Sequence, residues 1–252
     1  MEKSVLGTDI FKQKRATEKL VEESRADLDF YVFLCASVFI TTLGLAIDNP
    51  IVIVGAMLVA PMLYPILALG LGVVTSSTHA IARALRIIGQ SGLIAVAIAF
   101  VTAFLVDIHS QPITEQLELL IDPNLALFFL ASLAAGVVAS FSWVTQKTAL
   151  SFPGVAITVS LVPPVAAVGV ALALWSRELF IGSAMLFIVN LLGVVLASVV
   201  VFSLFGFQRV RVWEDQKIRK QEEDITKKPT DTGDITQSAS DHTPEDNRAS
   251  KS

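Results

Sequence analysis

Six long apolar segments, separated by short polar connections, occupy the chain between Phe30 and Phe207. A membrane-spanning helix needs roughly 20 mainly apolar residues, and each segment is close to that length or longer. The pattern therefore predicts an all-α, polytopic membrane helix bundle with about six spans. The expected bounds of the spans are 30–47, 51–76, 87–106, 125–144, 154–175 and 179–207.

Polar residues collect at both ends of the chain. Residues 1–29 are charged, and their few apolar residues are too sparse for a core. We expect a solvated cytoplasmic arm there; a helix lying on the lipid headgroups is the alternative. The transmembrane domain then covers 30–212. From Glu214 onward the chain is rich in Asp, Glu, Lys, Thr and Ser without any aromatic residue, which predicts a disordered cytoplasmic tail over 213–252.

Composition agrees with a membrane protein. Hydrophobic residues make up 53% of the chain and charged residues 17%, against about 25% charged in a soluble domain. The single Cys35 excludes a disulfide framework and a thiolate metal cluster. Nucleotide-binding loops, nucleophile elbows and zinc-binding helices are absent from the sequence. We therefore predict no enzyme activity, no metal and no cofactor.

Lysine and arginine lie mainly on one side of the predicted bundle. They are concentrated in the N-terminal arm, the second and fourth connections and the segment after the last span, whereas the longest connection, 107–124, is acidic. By the positive-inside rule both termini face the cytoplasm, in the inner (plasma) membrane. Anchoring at the membrane explains these basic residues, so we expect a lipid bilayer and no nucleic acid as partner.

Two spans carry prolines in their middle, and the two segments resemble each other. They read GAMLVAPMLYPILALG over 55–70 and GVAITVSLVPPVAAVG over 154–169. A shift of 99 residues aligns their landmarks: Gly55 with Gly154, Pro65 with Pro164, and Gly70 with Gly169. Proline removes a helix hydrogen bond and clashes with the preceding turn. The second and fifth spans are therefore predicted to be interrupted or re-entrant.

The same shift superposes the first three spans on the last three. Ser91 in the third span then corresponds to Asn190 in the sixth. Because each repeat (about 30–107 and 125–207) holds an odd number of spans, the second copy enters the membrane from the opposite side. This predicts two inverted three-span repeats, an arrangement in which interrupted helices mark a transporter's binding site.

The two proline segments, together with Asn190–Gly193, resemble the signature stretches of a bacterial and archaeal membrane family known as domain of unknown function 389. The resemblance covers roughly residues 30–207. It implies a multi-span inner-membrane protein, but it supplies no chemistry because the family is functionally uncharacterised.

We expect a site near the bilayer midplane, where half-helix ends and nearby polar side chains could bind a solute. The positive N-terminal ends suit an anion and the freed carbonyls suit a cation, so the sign of the ligand stays open. The opposing interpretation is a kinked helix whose freed carbonyls are satisfied by neighbouring hydroxyls. The candidate residues are Pro61, Pro65, Gly70, Ser91, Thr158, Ser160, Pro163, Pro164, Gly169 and Asn190.

Two function classes follow from these features. The first is a secondary transporter or channel for a small solute or ion. The alternative is a non-transporting scaffold or sensor that recruits partners through its cytoplasmic ends, which the scarcity of charge inside the spans favours. The small residues of the fourth span, such as Ser132, Gly136 and Ser140, indicate close helix packing within the bundle or in a homo-oligomer.

Overall fold

The computed structural model describes residues 10–108, 112–145 and 161–207, all within one compact unit, Met1–Ile218. These residues form helices and connections without a β-strand, which confirms the all-α class. The predicted tail, 213–252, lies outside the described residues. The helices are α1 (Ile10–Glu23), α2 (Leu28–Ala46), α3 (Pro50–Met57), α4 (Leu63–Thr75), α5 (Thr78–Leu105), α6 (Glu115–Glu118), α7 (Leu125–Thr145), α8 (Val162–Leu174) and α9 (Arg177–Leu204).

Four of the described helices are long and apolar enough to cross a membrane, namely α2, α5, α7 and α9. They indicate a membrane-embedded protein. The helices α4 and α8 are also apolar but have 13 residues each. At a rise of about 1.5 Å per residue they extend about 20 Å, which is less than the hydrocarbon thickness of about 30 Å.

One end of the bundle, which we call the α1 end, is defined by contacts of the N-terminal helix. The Gln13 side chain donates to the carbonyl of Phe205, just after α9, at 2.7 Å. The Trp143 indole, near the end of α7, donates to the carbonyl of Ala16 at 3.1 Å. Val21 of α1 forms a small buried cluster with Ala80 in the first turn of α5. The α1 end therefore holds the start of α5 and the ends of α7 and α9.

The opposite end, the loop end, is defined by the connection between α5 and α7. Thr114 donates its hydroxyl to the carbonyl of Leu45 near the end of α2, at 2.9 Å. The Gln116 amide donates to the carboxylate of Asp48 at 3.1 Å. A Cβ at Gly182, in the second turn of α9, would meet the carbonyl of Leu120. The loop end therefore holds the end of α2 and the start of α9.

These contacts give the direction of the two short helices. The turn after α4 leads at once into α5, so α4 ends at the α1 end, whereas α8 leads into α9 and ends at the loop end. The two short helices consequently run in opposite directions. It also follows that α4 runs parallel to α9, and α8 parallel to α5.

Each short helix packs on the long helix that is distant from it in sequence. In addition to their own hairpin neighbours, α8 packs against α5 and α2, and α4 packs against α9. The core accordingly divides into two main buried clusters. One contains residues of α2, α5 and α8, and the other contains residues of α4, α7 and α9.

The 99-residue shift seen in the sequence recurs in the helix bounds. The first and last residues of α4 and α8 differ by 99, as do those of α5 and α9. The connecting turns match as well. Ser76 and Trp175 both adopt the left-handed conformation, with φ of 52° and 54°. The next residues, Ser77 and Ser176, both cap the following helix with their hydroxyls.

The N-terminal helix differs from the expected solvated arm. Ala16 and Leu20 of α1 have no exposed surface and belong to the buried cluster of α4, α7 and α9. Gln13 and Thr17 are also buried, and the Lys19 ammonium lies 5.7 Å from the centre of the Trp143 ring. The apolar residues of the arm are few, but the buried residues of α1 are spaced by three and four positions, which places them on one helix face. That face is enough to dock α1 on the bundle.

Candidate functional site

The segment predicted as the second span consists of two helices, α3 and α4, separated by the turn Leu58–Met62. Pro61 lies half-buried in this turn. Ser37 of α2 donates its hydroxyl to the carbonyl of Ala56 at the end of α3, at 2.7 Å. The Ala56 carbonyl at the break therefore accepts from a neighbouring helix in addition to the local Val59 amide, which helps a break to be tolerated at membrane depth.

The remaining prolines lie in the first turns of the two short helices. Pro65 is the third residue of α4, and Pro163 and Pro164 are the second and third residues of α8. All three are buried. Backbone N–H groups in a first turn have no intrahelical partner, so proline loses no helix bond there. These prolines consequently mark where two half-length helices begin.

Neither of these helix starts is capped by a side chain. The residues in the cap positions, Met62 before α4 and Leu161 before α8, are apolar and buried. Each start combines the positive end of a helix dipole with first-turn N–H groups that the helix itself leaves unbonded. Two prolines in its first turn leave α8 with fewer donors than α4. The predicted site residues Thr158 and Ser160 lie outside the described residues.

The two helix starts share buried clusters across the middle of the bundle. Met62 belongs to the cluster that contains Val162 of α8, and Leu161 belongs to the cluster that contains Leu63 of α4. Over their described lengths α4 and α8 make at most a few contacts with one another. Each helix start therefore packs into the buried cluster that contains the other short helix.

The predicted site glycines Gly70 and Gly169 are packing positions. A Cβ at Gly169 would lie 2.6 Å from the Cβ of Ala99 and 2.5 Å from the carbonyl oxygen of Val96 on α5. A Cβ at Gly70 would meet the hydroxyl of Ser198 on α9. Ala99 and Ser198 are themselves 99 residues apart. Both glycines therefore let a short helix approach its long neighbour closely, in matching positions.

Ser91 and Asn190 are buried near the middle of α5 and α9, with 1% and 2% of their surface exposed. Ser91 lies eight residues before Ala99, which faces Gly169 of α8. Asn190 lies eight residues before Ser198, which faces Gly70 of α4. Met62 and Leu161 likewise lie eight residues before those glycines. Because the paired helices run parallel, Ser91 lies level with Leu161, and Asn190 level with Met62. The two polar residues thus lie at the depth of the helix starts.

Two further buried hydroxyls, Thr41 on α2 and Ser140 on α7, are not among the site residues predicted from the sequence. They are 99 residues apart and have no exposed surface. Neither hydroxyl has a hydrogen-bond partner among residues 10–108, 112–145 and 161–207. A buried polar group normally has such a partner. The sequence does show a hydroxyl residue in the first predicted span and another in the fourth, related by the same shift of 99 residues.

Pro65 also borders a small crevice between α1, α4 and α5. Val21 of α1 and Ser24, just after that helix, line it together with Ala68 and Arg83. Its volume of about 10 Å³ is close to the minimum that holds one water molecule. The C-terminal part of α1 therefore lies beside α4 near Pro65 and Ala68.

These features define an all-helical membrane bundle in which two half-length helices begin near the middle. A family model described as "Domain of unknown function (DUF389)" matches residues 57–196, and the chain belongs to that family. The uncharacterized protein MJ0678 of Methanocaldococcus jannaschii is 24% identical over 220 residues, which cover 82% of this chain and 67% of that protein. No solved structure matches the chain significantly.

Proposed function

We propose that the chain is a secondary transporter or channel for a small solute or ion, with six spans arranged as two inverted three-span repeats. The repeat relation is supported by the matching bounds of α4 with α8 and of α5 with α9. It is also supported by the opposite directions of the two short helices. Equivalent positions on the long helices, Ala99 and Ser198, receive the two glycines.

The count of six spans rests on where the connections lie. α2 ends at the loop end, and α4 ends at the α1 end, so Pro50–Thr75 crosses the bundle as two helices. α7 ends at the α1 end and α8 ends at the loop end, so we count one further crossing between these two helix ends. Together with the four long helices, these two crossings make six.

The orientation follows from charge. Arg83 and Arg86 lie near the α1 end, where the basic N-terminal arm also docks, whereas Glu115, Glu118 and Asp122 lie at the loop end. The positive-inside rule then assigns the α1 end to the cytoplasm. In a Cys35→Ala background, Glu118→Cys should react with a membrane-impermeant maleimide on intact cells. Thr78→Cys should react only after permeabilisation, and the reverse labelling pattern would contradict this orientation.

The observation that carries the transport proposal is that two half-length helices begin at the depth of the buried residues Ser91 and Asn190. Half-helices that begin in the middle of a bundle present dipole ends and first-turn N–H groups to a solute. A buried amide and a buried hydroxyl at the same depth can select by hydrogen bonding. We place the substrate-binding site between the two helix starts. Motion of one repeat against the other would then open this site alternately to each side of the membrane.

Reconstituted protein tests this function. The probes are KCl gradients, measured as conductance across planar bilayers, and glycerol and urea, measured as swelling of proteoliposomes. We expect flux of at least one probe, with a loss of several-fold or more in Asn190→Leu and Ser91→Ala. The control is Thr102→Val on α5, because the Thr102 hydroxyl bonds to the carbonyl of Ile98 in its own helix.

Two outcomes would oppose the proposal. Flux that survives in both site variants would remove the helix starts from the pathway. A folded, reconstituted wild type that passes none of the probes would instead favour the scaffold role. Deletion of residues 214–252 should leave flux unchanged if transport is the function, because that segment lies outside the six predicted spans.

A further inference from the structure

One face of α5 has a composition that does not suit contact with lipid. Its exposed residues include Arg86, Gly89, Gln90, Leu93 and Ala97, which we call the α5 face. Gln90 lies near the middle of the 28-residue helix, inside the apolar stretch that begins at Ile87. An amide side chain at this depth has no water with which to exchange hydrogen bonds.

The Gln90 side chain makes no hydrogen bond in the part of the chain that the structure describes. Away from the first turns, the other residues exposed by the four long described helices are apolar, except Arg86 one turn before Gln90. An unbonded amide facing lipid costs free energy that a second helix could recover by pairing with it.

Gly89, beside Gln90, has no packing role within the described chain. A Cβ built at Gly89 would meet no atom within 4 Å, whereas a Cβ at Gly136 or Gly193 would collide with a neighbouring helix. The latter two join α7 to α9, so the small residues of the fourth span serve packing within the chain. Gly89 instead leaves room on the outer surface for the close approach of another helix.

The equivalent face of α9 provides an internal comparison. A shift of 99 residues converts Arg86, Gly89, Gln90, Leu93 and Ala97 into Met185, Ile188, Val189, Leu192 and Leu196. That face is exposed or half-exposed as well, and all its residues are large and apolar, as lipid contact requires. The two faces have the same position in their repeats but different chemistry, so only the α5 face has the composition of a helix interface.

We propose that the α5 face is the contact between two copies of this chain, in which α5 packs against α5 of a second protomer. All copies in one membrane share one orientation, so the two helices run parallel and the same residues meet. An amide both donates and accepts, so Gln90 can pair with Gln90 of the other copy. No other exposed face of the described long helices offers a polar partner at this depth.

Arg86 fits the same contact without placing two positive charges together. It lies one turn nearer the α1 end than Gln90, and its long side chain can extend toward the headgroups. Gly89 then lies at the point of closest approach, and Leu93 and Ala97 continue the interface toward the loop end.

Cysteine crosslinking tests which face is covered. Cys35→Ala removes the single native cysteine, and Leu93→Cys or Ala97→Cys is then introduced on α5. The matched controls are Leu192→Cys and Leu196→Cys at the equivalent positions of α9. Under mild oxidation of native membranes we expect the α5 cysteines to form disulfide-linked dimers several-fold more than the α9 cysteines. Equal crosslinking at both faces would overturn the proposal.

A second measurement follows the amide itself. Energy transfer between labelled copies in liposomes, at decreasing protein-to-lipid ratio, reports the association constant. Gln90→Leu should lower it about 3- to 30-fold, the range expected for an interhelical hydrogen bond in a membrane, and Gln90→Asn should recover part of the loss. An unchanged association in Gln90→Leu would overturn the proposal. The proposal would also be overturned if the purified protein stays monomeric and the α5 cysteines crosslink to a different protein in cells.

Discussion

The contact between α5 and α8 can be perturbed by one methyl group, through Gly169→Ala. The new Cβ would lie 2.6 Å from the Cβ of Ala99, 2.5 Å from the carbonyl oxygen of Val96 and 2.9 Å from the amide nitrogen of Phe100. Carbon atoms pack best at about 3.5–4.0 Å. The helices must therefore separate by about 1 Å, because two of the three colliding atoms are backbone atoms that no rotamer change can move.

A separation of that size loses a quarter to a half of each affected van der Waals contact. Overpacking of this kind costs about 1–3 kcal/mol, while alanine regains about 1 kcal/mol of helix propensity over glycine. We expect a net loss of up to about 2 kcal/mol. Gly70 occupies the equivalent place in α4, and a Cβ there would meet the side chain of Ser198. Gly70→Ala should therefore also lower the stability.

The assay is the thermal stability of detergent-solubilised protein, followed by the monodisperse fraction after heating. Gly92→Ala is the matched control, because a Cβ at Gly92 on α5 would meet nothing within 4 Å. We expect a lower midpoint for Gly169→Ala and none of this loss for Gly92→Ala. Equal midpoints for the two variants would refute the close packing of α8 on α5.

Two further predictions concern hydrogen bonds between distant elements. Ser37→Ala removes one donor from the Ala56 carbonyl, which still accepts from the Val59 amide, and should destabilise the protein by about 0.5–1.5 kcal/mol. Thr42→Val on the same helix, whose hydroxyl bonds only within α2, should cost less, and a reversed order would contradict the assignment. Trp143→Phe removes the hydrogen bond from the indole to α1 and should speed proteolysis of the N-terminal arm. Trp175→Phe is the control and should leave the cleavage rate unchanged, because the Trp175 side chain is 89% exposed. Equal cleavage rates in the two variants would count against docking of α1.

Features that depend on neighbouring residues could be predicted from the sequence. The four long helices follow from apolar length alone, and all four lie within predicted spans apart from additional turns, most notably at the start of α5. The turn between α3 and α4 lies at Pro61 because proline acts on its own helical turn. The 99-residue correspondence of Ser91 with Asn190 was likewise visible without coordinates.

Other features depend on atoms that are far apart in the chain. The docking of α1 requires the carbonyl of Ala16 to meet the indole of Trp143, and the sequence offered only sparse apolar residues as a signal. The packing of each short helix on the distant long helix depends on the fit of Gly70 and Gly169 to particular neighbours. Hydrophobicity is non-directional, so it specifies which segments leave water but not which helices become neighbours. Close packing and hydrogen-bond geometry decide that, and they exist only in the folded bundle.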